Sequence, residues 1–361
     1  MWDAVAASGL PVHFHTIGSG VRRDFTKLAL KLALAARALV YVAERHGLRR
    51  AVRRFCGGAK TAGHMLLRLA GVRDTRQVPS DDCTKRSGAE TMPIRTEDLE
   101  YYRPADVPLL ARFYRPEGQA PFPAVLEVHG GAWTSGDRFN NVAIAEHLAA
   151  HGIAVLSIDF RMPPAARYPD TVADVNFGIR FLKANAERLA TRQELVGGLG
   201  TSSGGHLLLL NALRPRDTRY ASEPLPGSDA SLAFAVACWP VADPLARYRA
   251  VIKCGNDRLV EAHHQFWPSE EAMSEGSPQL ILERREPVDT PPALIMQGTA
   301  DDNLTPDMAA DFAAAYTKAG GSIAFHKFDG QPHAFIPRDP ASPDARRALG
   351  LITDFIHHQT R

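Results

Sequence analysis

Residues 200–206 read Gly200-Thr201-Ser202-Ser203-Gly204-Gly205-His206, between the apolar runs Leu195-Val196-Gly197-Gly198-Leu199 and Leu207-Leu208-Leu209-Leu210-Asn211-Ala212. A strand that turns sharply into a helix, with Ser202 flanked by glycines two residues away on each side, has the pattern of a nucleophile elbow. The turn forces the serine backbone into a strained conformation, and the glycines leave room for it. The pentapeptide alone is weak: with Gly and Ser each near 7% of residues, a chain of this length shows about 0.1 matches by chance. Its reading depends on partners elsewhere in the chain.

Those partners sit in an alternating pattern. Leu99–Tyr102 and Leu109–Tyr114 read as an opening strand pair. Ala124–His129 and Ile153–Asp159 read as strands separated by a helix near Val142–His151, and a helix over Val172–Arg188 leads to the strand before Ser202. Further strands are predicted at Leu232–Cys238, Ala293–Gln297 and Ile323–Phe328, with helices near Met308–Ala319 and Ala345–His358. Such alternation implies a mostly parallel sheet with helices on both faces, and function at the carboxyl ends of the strands.

At one such end stands His129-Gly130-Gly131-Ala132-Trp133. Small residues after a strand let backbone N–H groups approach a ligand oxygen, the requirement of an oxyanion hole. A plain glycine turn is the alternative, but the position two strands before the elbow favours the hole. Gly298-Thr299-Ala300-Asp301-Asp302 follows another strand. Either aspartate could orient a histidine; Asp301 is nearer the strand end, whereas Asp302 suits capping of the helix near Pro306. Of 14 histidines, His333 in Gly330-Gln331-Pro332-His333 has the loop location a general base needs. His129 is expected to brace its loop, His326 to pack or face solvent within its strand, and His263-His264 to form a surface pair. The order Ser202, Asp301, His333 is that of α/β-hydrolases, and differs from chymotrypsin-like and subtilisin-like orders.

From Met92 to Arg361 the chain resembles the α/β-hydrolase superfamily, and within it the hormone-sensitive-lipase-like branch of esterases. The resemblance rests on His129–Ala132, on Gly200–Gly205, and on Asp159-Phe160-Arg161-Met162-Pro163-Pro164 followed by Tyr168-Pro169. It implies an α/β-hydrolase fold: a mostly parallel eight-stranded sheet, helices on both faces and a small helical cap insertion. It implies Ser202 as nucleophile, His333 as general base and acid, and Asp301 as orienting carboxylate. Gly131, Ala132 and Ser203 would donate to the oxyanion, with Gly130 shaping the hole. Two departures stand out: Ala132 replaces a third glycine, and Thr201-Ser202-Ser203 replaces the usual Asp-Ser-Ala. The cap insertion is placed at about residues 239–290, with Trp133 and Trp239 as candidate substrate-binding side chains and Asp243 and Arg247 as candidates for polar recognition. The expected chemistry is hydrolysis of a small, short-acyl carboxylic ester through an acyl-enzyme, with no metal and no cofactor. A prolyl-peptidase-like hydrolase and a non-catalytic binding protein on the same scaffold are the competing readings.

Charge divides the chain. Residues 1–91 carry 16 Lys and Arg against 7 Asp and Glu, and residues 92–361 carry 26 against 33. The acidic body offers no footprint for nucleic acid. Thr26–Phe55 is rich in Leu, Ala and Lys, and no 18-residue stretch within it is free of charge, so stable membrane insertion is not expected. Residues 1–91 read as a basic extension, partly helical or disordered, with Met92 a candidate true initiator and residues 92–361 the catalytic domain. Cys56, Cys83, Cys238 and Cys254 have no metal or disulfide spacing. A small-molecule ester is the expected partner, a homodimer is left open, and a cytoplasmic location is expected.

Overall fold

A strand with every side chain buried must be covered on both faces, and the centre of this chain is built from such strands. The computed structural model describes residues 91–220, 225 and 228–361. The basic extension expected over residues 1–91 lies, apart from Thr91, outside the described residues.

The described residues open with two antiparallel strands, β1 (Ile94–Tyr102) and β2 (Leu109–Pro116). β3 (Phe122–Val128) is followed by a long loop and α1 (Val142–Ala150), then β4 (Ala154–Ile158), α2 (Asp170–Ala184) and β5 (Thr191–Thr201). α3 (Ser203–Leu213) leads to β6 (Ala235–Cys238). Four helices follow: α4 (Pro244–Cys254), α5 (Asp257–Phe266), α6 (Glu270–Glu275) and α7 (Pro278–Glu283). The chain then returns through β7 (Ala293–Gly298), α8 (Met308–Lys318), β8 (Ile323–Phe328), α9 (Phe335–Arg338) and α10 (Pro343–Gln359).

The eight strands form one sheet in the order β1-β2-β4-β3-β5-β6-β7-β8. Only β1 with β2 and β2 with β4 run antiparallel; from β4 to β8 every pairing is parallel. All five residues of β4, all four of β6 and all six of β7 are buried. β1 lies at an edge, and its exposed Arg95, Glu97 and Asp98 discourage further strand pairing. α1 and α10 pack together, with α1 on β2 and β4, while α2 and α3 pack together on β3 and β5. The two groups of helices sandwich the sheet, which is the α/β-hydrolase arrangement.

The order β4-β3-β5 reverses the direction in which the sheet grows, so a crevice forms at the carboxyl ends of β3 and β5. The loop after Val128 and the turn after Thr201 meet there.

Candidate active site

Ser202 joins β5 to α3 with φ 52° and ψ −119°, a strained conformation for a residue with a side chain. The glycines around it let the backbones touch. A Cβ on Gly204 would lie 2.2 Å from the carbonyl oxygens of both Val128 and His129, so α3 starts directly against the end of β3. The Ser202 amide donates to the Cys238 carbonyl at 3.0 Å, fixing the turn to the next strand.

Two other strand ends bring in the remaining groups. His333 Nε2 is 2.9 Å from Ser202 Oγ, and His333 Nδ1 is 2.8 Å from Asp301 Oδ2. The second Asp301 oxygen accepts the amides of Asn303 at 2.9 Å and Leu304 at 3.2 Å. With both oxygens engaged and its side chain fully buried, this carboxylate has one available orientation. Asp302 accepts only from its neighbour Asn303 Nδ2, and does not cap α8. The loops after β7 and β8 are bound together by Thr299 N to Phe328 O at 2.9 Å and Ala300 N to Gln331 O at 3.0 Å. The sequence-predicted Ser202, Asp301 and His333 therefore form one hydrogen-bonded line, although 131 residues separate the serine from the histidine.

The loop after β3 passes beside the serine. A Cβ on Gly130 would come within 3.0 Å of Ser202 Cβ, and one on Gly131, where φ is +116°, would strike the Ser135 carbonyl oxygen at 1.8 Å. Among the described residues, the amides of Gly131, Ala132 and Ser203 have no hydrogen-bond acceptor. Unpaired buried N–H groups are rare in folded proteins and mark a place where a ligand oxygen can be received. The His129 ring stacks on Phe160 at 4.3 Å, as a brace for the loop, and burial lowers its pKa.

Ala132 and Trp133 are both left-handed, with φ 53° and 64°. Each such residue is strained by about 1–2 kcal/mol. Packing maintains this shape. Ala132 clusters with Val251 of α4 and with Leu259 and Ala262 of α5. The Trp133 amide donates to Ser203 Oγ at 3.1 Å, and its ring stacks on Phe266 at 5.0 Å and 6°. Its indole N–H donates to His206 Nδ1 at 3.1 Å, and the Arg247 guanidinium lies 4.6 Å from the ring centre.

Four expectations change here. Trp133, expected to meet substrate, has no exposed surface and belongs to the packing behind the loop. Trp239 is also buried, with its ring edge-on to Phe335 at 5.2 Å and 6.3 Å from that of His333. His263, expected at the surface with His264, is buried edge-on to Trp133, while His264 is exposed. Neither residue considered for polar recognition is free to provide it in this state. Asp243 caps α4 through the amides of Leu245 and Ala246, and Arg247 is buried. Among the described residues, the Arg247 side chain makes one hydrogen bond, to His263 Nε2 at 3.5 Å, and has no carboxylate partner.

Sequence reasoning passed over Glu127 and Asn141. Asn141 Nδ2 donates both to Glu127 Oε1 at 2.6 Å and to Thr201 Oγ1 at 3.0 Å. Burial lifts the Glu127 carboxyl to about 7. The signal was present, since one carboxyl interrupts the apolar run Ala124–Val128 just before the glycine loop.

Among the described residues, no group of three or more His, Cys, Asp or Glu is placed to hold a metal, and no helix is long and apolar enough to cross a membrane. A cleft of about 810 Å³ between α7 and α8, lined by Gln279, Leu282, Val288 and Met308, contains none of Ser202, Asp301 and His333. The hydrogen-bonded line lies apart from this cleft. Ser202 and His333 are each 8% exposed.

Residues 112–316 match the family model described as BD-FAE. The esterase LipC of Mycobacterium tuberculosis is 28% identical over 253 residues, covering 66% of this chain and 59% of LipC. The chain thus spans less than two thirds of that relative. The ethyl acetate hydrolase of Pseudomonas putida is 24% identical over 300 residues, covering 80% of this chain and 85% of the hydrolase. Among solved structures, the propionate-bound esterase Est2 of Thermogutta terrifontis superimposes with a TM-score of 0.60 at 25% identity, over 73% of this chain and 94% of Est2.

Proposed function

This chain belongs to the BD-FAE family, in the hormone-sensitive-lipase-like esterase branch of the α/β-hydrolases, and on that basis we propose that it hydrolyses carboxylic esters through Ser202. Ser202 Oγ attacks the ester carbonyl carbon while His333 Nε2 takes the hydroxyl proton. Asp301 holds the imidazole so that Nδ1 carries the other proton. The carbonyl oxygen becomes an oxyanion and is received by the amides of Gly131, Ala132 and Ser203, with Gly130 giving the backbone its close approach. The tetrahedral intermediate collapses as His333 returns the proton to the departing alkoxide, releasing the alcohol. Water, deprotonated by the same nitrogen, then cleaves the acyl-Ser202 ester and restores the hydroxyl.

The observation that carries this reading is the line Ser202–His333–Asp301 beside three unpaired amides. The contacts of α4 and α5 with Ala132 favour small, short-acyl esters, with residues 239–290 forming the cap of the site. Ser202→Ala is expected to lower turnover of p-nitrophenyl acetate and butyrate by at least about 10⁴-fold with the fold intact. A fluorophosphonate should label the parent protein and not this variant. Retained turnover in Ser202→Ala rules out the nucleophile. Activity falling from acetate to octanoate supports the short-acyl preference, and cleavage of an aminoacyl-nitroanilide in place of esters would point to a peptidase.

A further inference from the structure

Glu127 lies on β3 two residues before the glycine loop, with 1% of its surface exposed. Its neighbours across the sheet are Ser157 of β4 and Leu199 of β5. Asn141 faces it from the start of α1, with Thr201 bound to the same amide. Tyr114 of β2 and Cys238 of β6 lie close enough to feel its charge, and no Lys or Arg acts on it. Oε2 and the hydroxyl of the adjacent Ser157 make no hydrogen bond of normal geometry, although Ser157 is near enough to favour the carboxylate. A leucine would fill this strand position without stranding a carboxyl, and buried polar groups lacking full pairing weaken a fold. Stability does not account for Glu127.

Asn141 makes a matching sacrifice. It is the N-cap residue of α1, yet its side chain caps no amide of that helix. A capping Asn ordinarily stabilises its helix by about 1 kcal/mol. Here the amide turns into the sheet and spends both N–H bonds on Glu127 and Thr201. The three residues occupy three chain ends that meet at the site. Glu127 leads into the loop, Asn141 closes it, and Thr201 immediately precedes Ser202. Gly130 of that loop already lies against the Thr201 carbonyl, where a Cβ would come within 3.2 Å.

We propose that Glu127 is a positioning residue for the ester hydrolysis proposed above, acting through Asn141 to pin both feet of the loop 129–141 to Thr201. The amides of Gly131 and Ala132 then stand at a fixed distance from Ser202 Oγ. A misplacement of about 1 Å at such a site can lower the rate about 100-fold. The inference rests on the esterase reading, and its effect falls on the oxyanion, so it belongs to the transition state and not to substrate binding.

The test compares Glu127→Leu, Glu127→Gln and Asn141→Ala with the parent and Ser202→Ala, using p-nitrophenyl butyrate and a trifluoromethyl ketone that forms a tetrahedral adduct with serine. Glu127→Leu is expected to fold and to lose about tenfold or more in kcat, with KM within about threefold. Affinity for the ketone should fall by the same factor as kcat/KM. Glu127→Gln keeps an oxygen for Asn141 and should recover most of the lost rate. Asn141→Ala, which leaves the carboxyl in place, should reproduce the loss. Parental kcat in Glu127→Leu or Asn141→Ala overturns the proposal. So does a glutamine variant as slow as the leucine variant, or a melting temperature that falls while ketone affinity holds. If Ser202→Ala still turns over ester, Ser202 is not the nucleophile, and this inference fails with that reading; if only the Glu127 and Asn141 variants behave like the parent, this inference alone is lost.

Discussion

His206 Nδ1 accepts the indole N–H of Trp133 at 3.1 Å, so its own proton sits on Nε2, which donates to the Gly276 carbonyl at 2.8 Å. One neutral imidazole thereby links the glycine loop, the helix behind Ser202 and the segment after α6. The tautomer is dictated by its partners, and a second proton would remove the acceptor that Trp133 needs.

Acid should therefore loosen this region. Burial lowers the pKa of His206 to about 3, and that of His263, also against Trp133, to about 3. Both stay neutral in the fold while the unfolded chain takes protons below about 6.5. Their stabilisation is complete above pH 6.5 and is lost as pH falls toward 3, at about 1.4 kcal/mol per pH unit for each ring. His206→Phe should cost about 2–4 kcal/mol at pH 7, because the indole N–H and the Gly276 carbonyl lose their partner. It should also show a smaller drop in urea midpoint between pH 6.5 and 5 than the parent. Equal drops in the two proteins count against the assignment.

Glu127 has the opposite sign. Its pKa is raised from 4.5 to about 7, so the folded protein holds this proton more tightly than the unfolded chain does. Below pH 4.5 the group is neutral in both states and contributes nothing to pH dependence. Between pH 4.5 and 7 the folded state loses ground, and above 7 the deficit is constant at roughly 3 kcal/mol. Glu127→Gln cannot ionise, so its stability advantage should open across that window and then level off. Urea unfolding at pH 4, 6 and 8 reads it directly; a gap that stays flat with pH contradicts the burial argument.

Arg247 offers a stability prediction of a different kind. Burial lowers its pKa to about 9, which leaves it charged at neutral pH, stacked on Trp133 and without a carboxylate partner among the described residues. Removing an uncompensated buried charge while keeping its volume commonly stabilises a fold. Arg247→Met should raise the unfolding free energy by about 1–3 kcal/mol. A clear fall in melting temperature would show that the stacking is worth more than the desolvation.

Asp301→Asn tests the orientation of His333. The asparagine fits the same space but presents an N–H where His333 Nδ1–H needs an acceptor, favouring the wrong tautomer. Turnover should fall by about 10³–10⁴-fold with thermal stability nearly unchanged. A loss below tenfold would mean that another group orients the imidazole.

The line through Ser202, Asp301 and His333 was legible because each residue stands at a strand end in a locally recognisable turn. The strand–helix alternation, set by covalent neighbours, fixed which ends could meet. Strand limits were less legible: β5 begins at Thr191, four residues before the apolar run, because it continues into a half-exposed stretch that pairs with β3 at Phe122. Trp133, His263 and Arg247 were misjudged for one shared reason. Their burial comes from contacts between segments more than a hundred residues apart; the stripe Leu259, Ala262, His263 and Phe266 marks a packed helix face, but not that Trp133 packs against it. Glu127 was visible as a lone acid in an apolar strand, but its partners Asn141 and Thr201 are defined only by the folded crevice.

The grip of α4 and α5 on Ala132 and Trp133 limits how such a protein can be altered, by selection or by design. Helices that border a binding site are the natural place to change preference for one ester over another. In this chain the same helices also keep two strained loop residues in place, so under the proposed ester hydrolysis a replacement segment chosen for its fit to a new substrate would alter the reaction rate for every substrate at once. Exchange of this segment between relatives would succeed only where the tryptophan and the residues that hold it travel together.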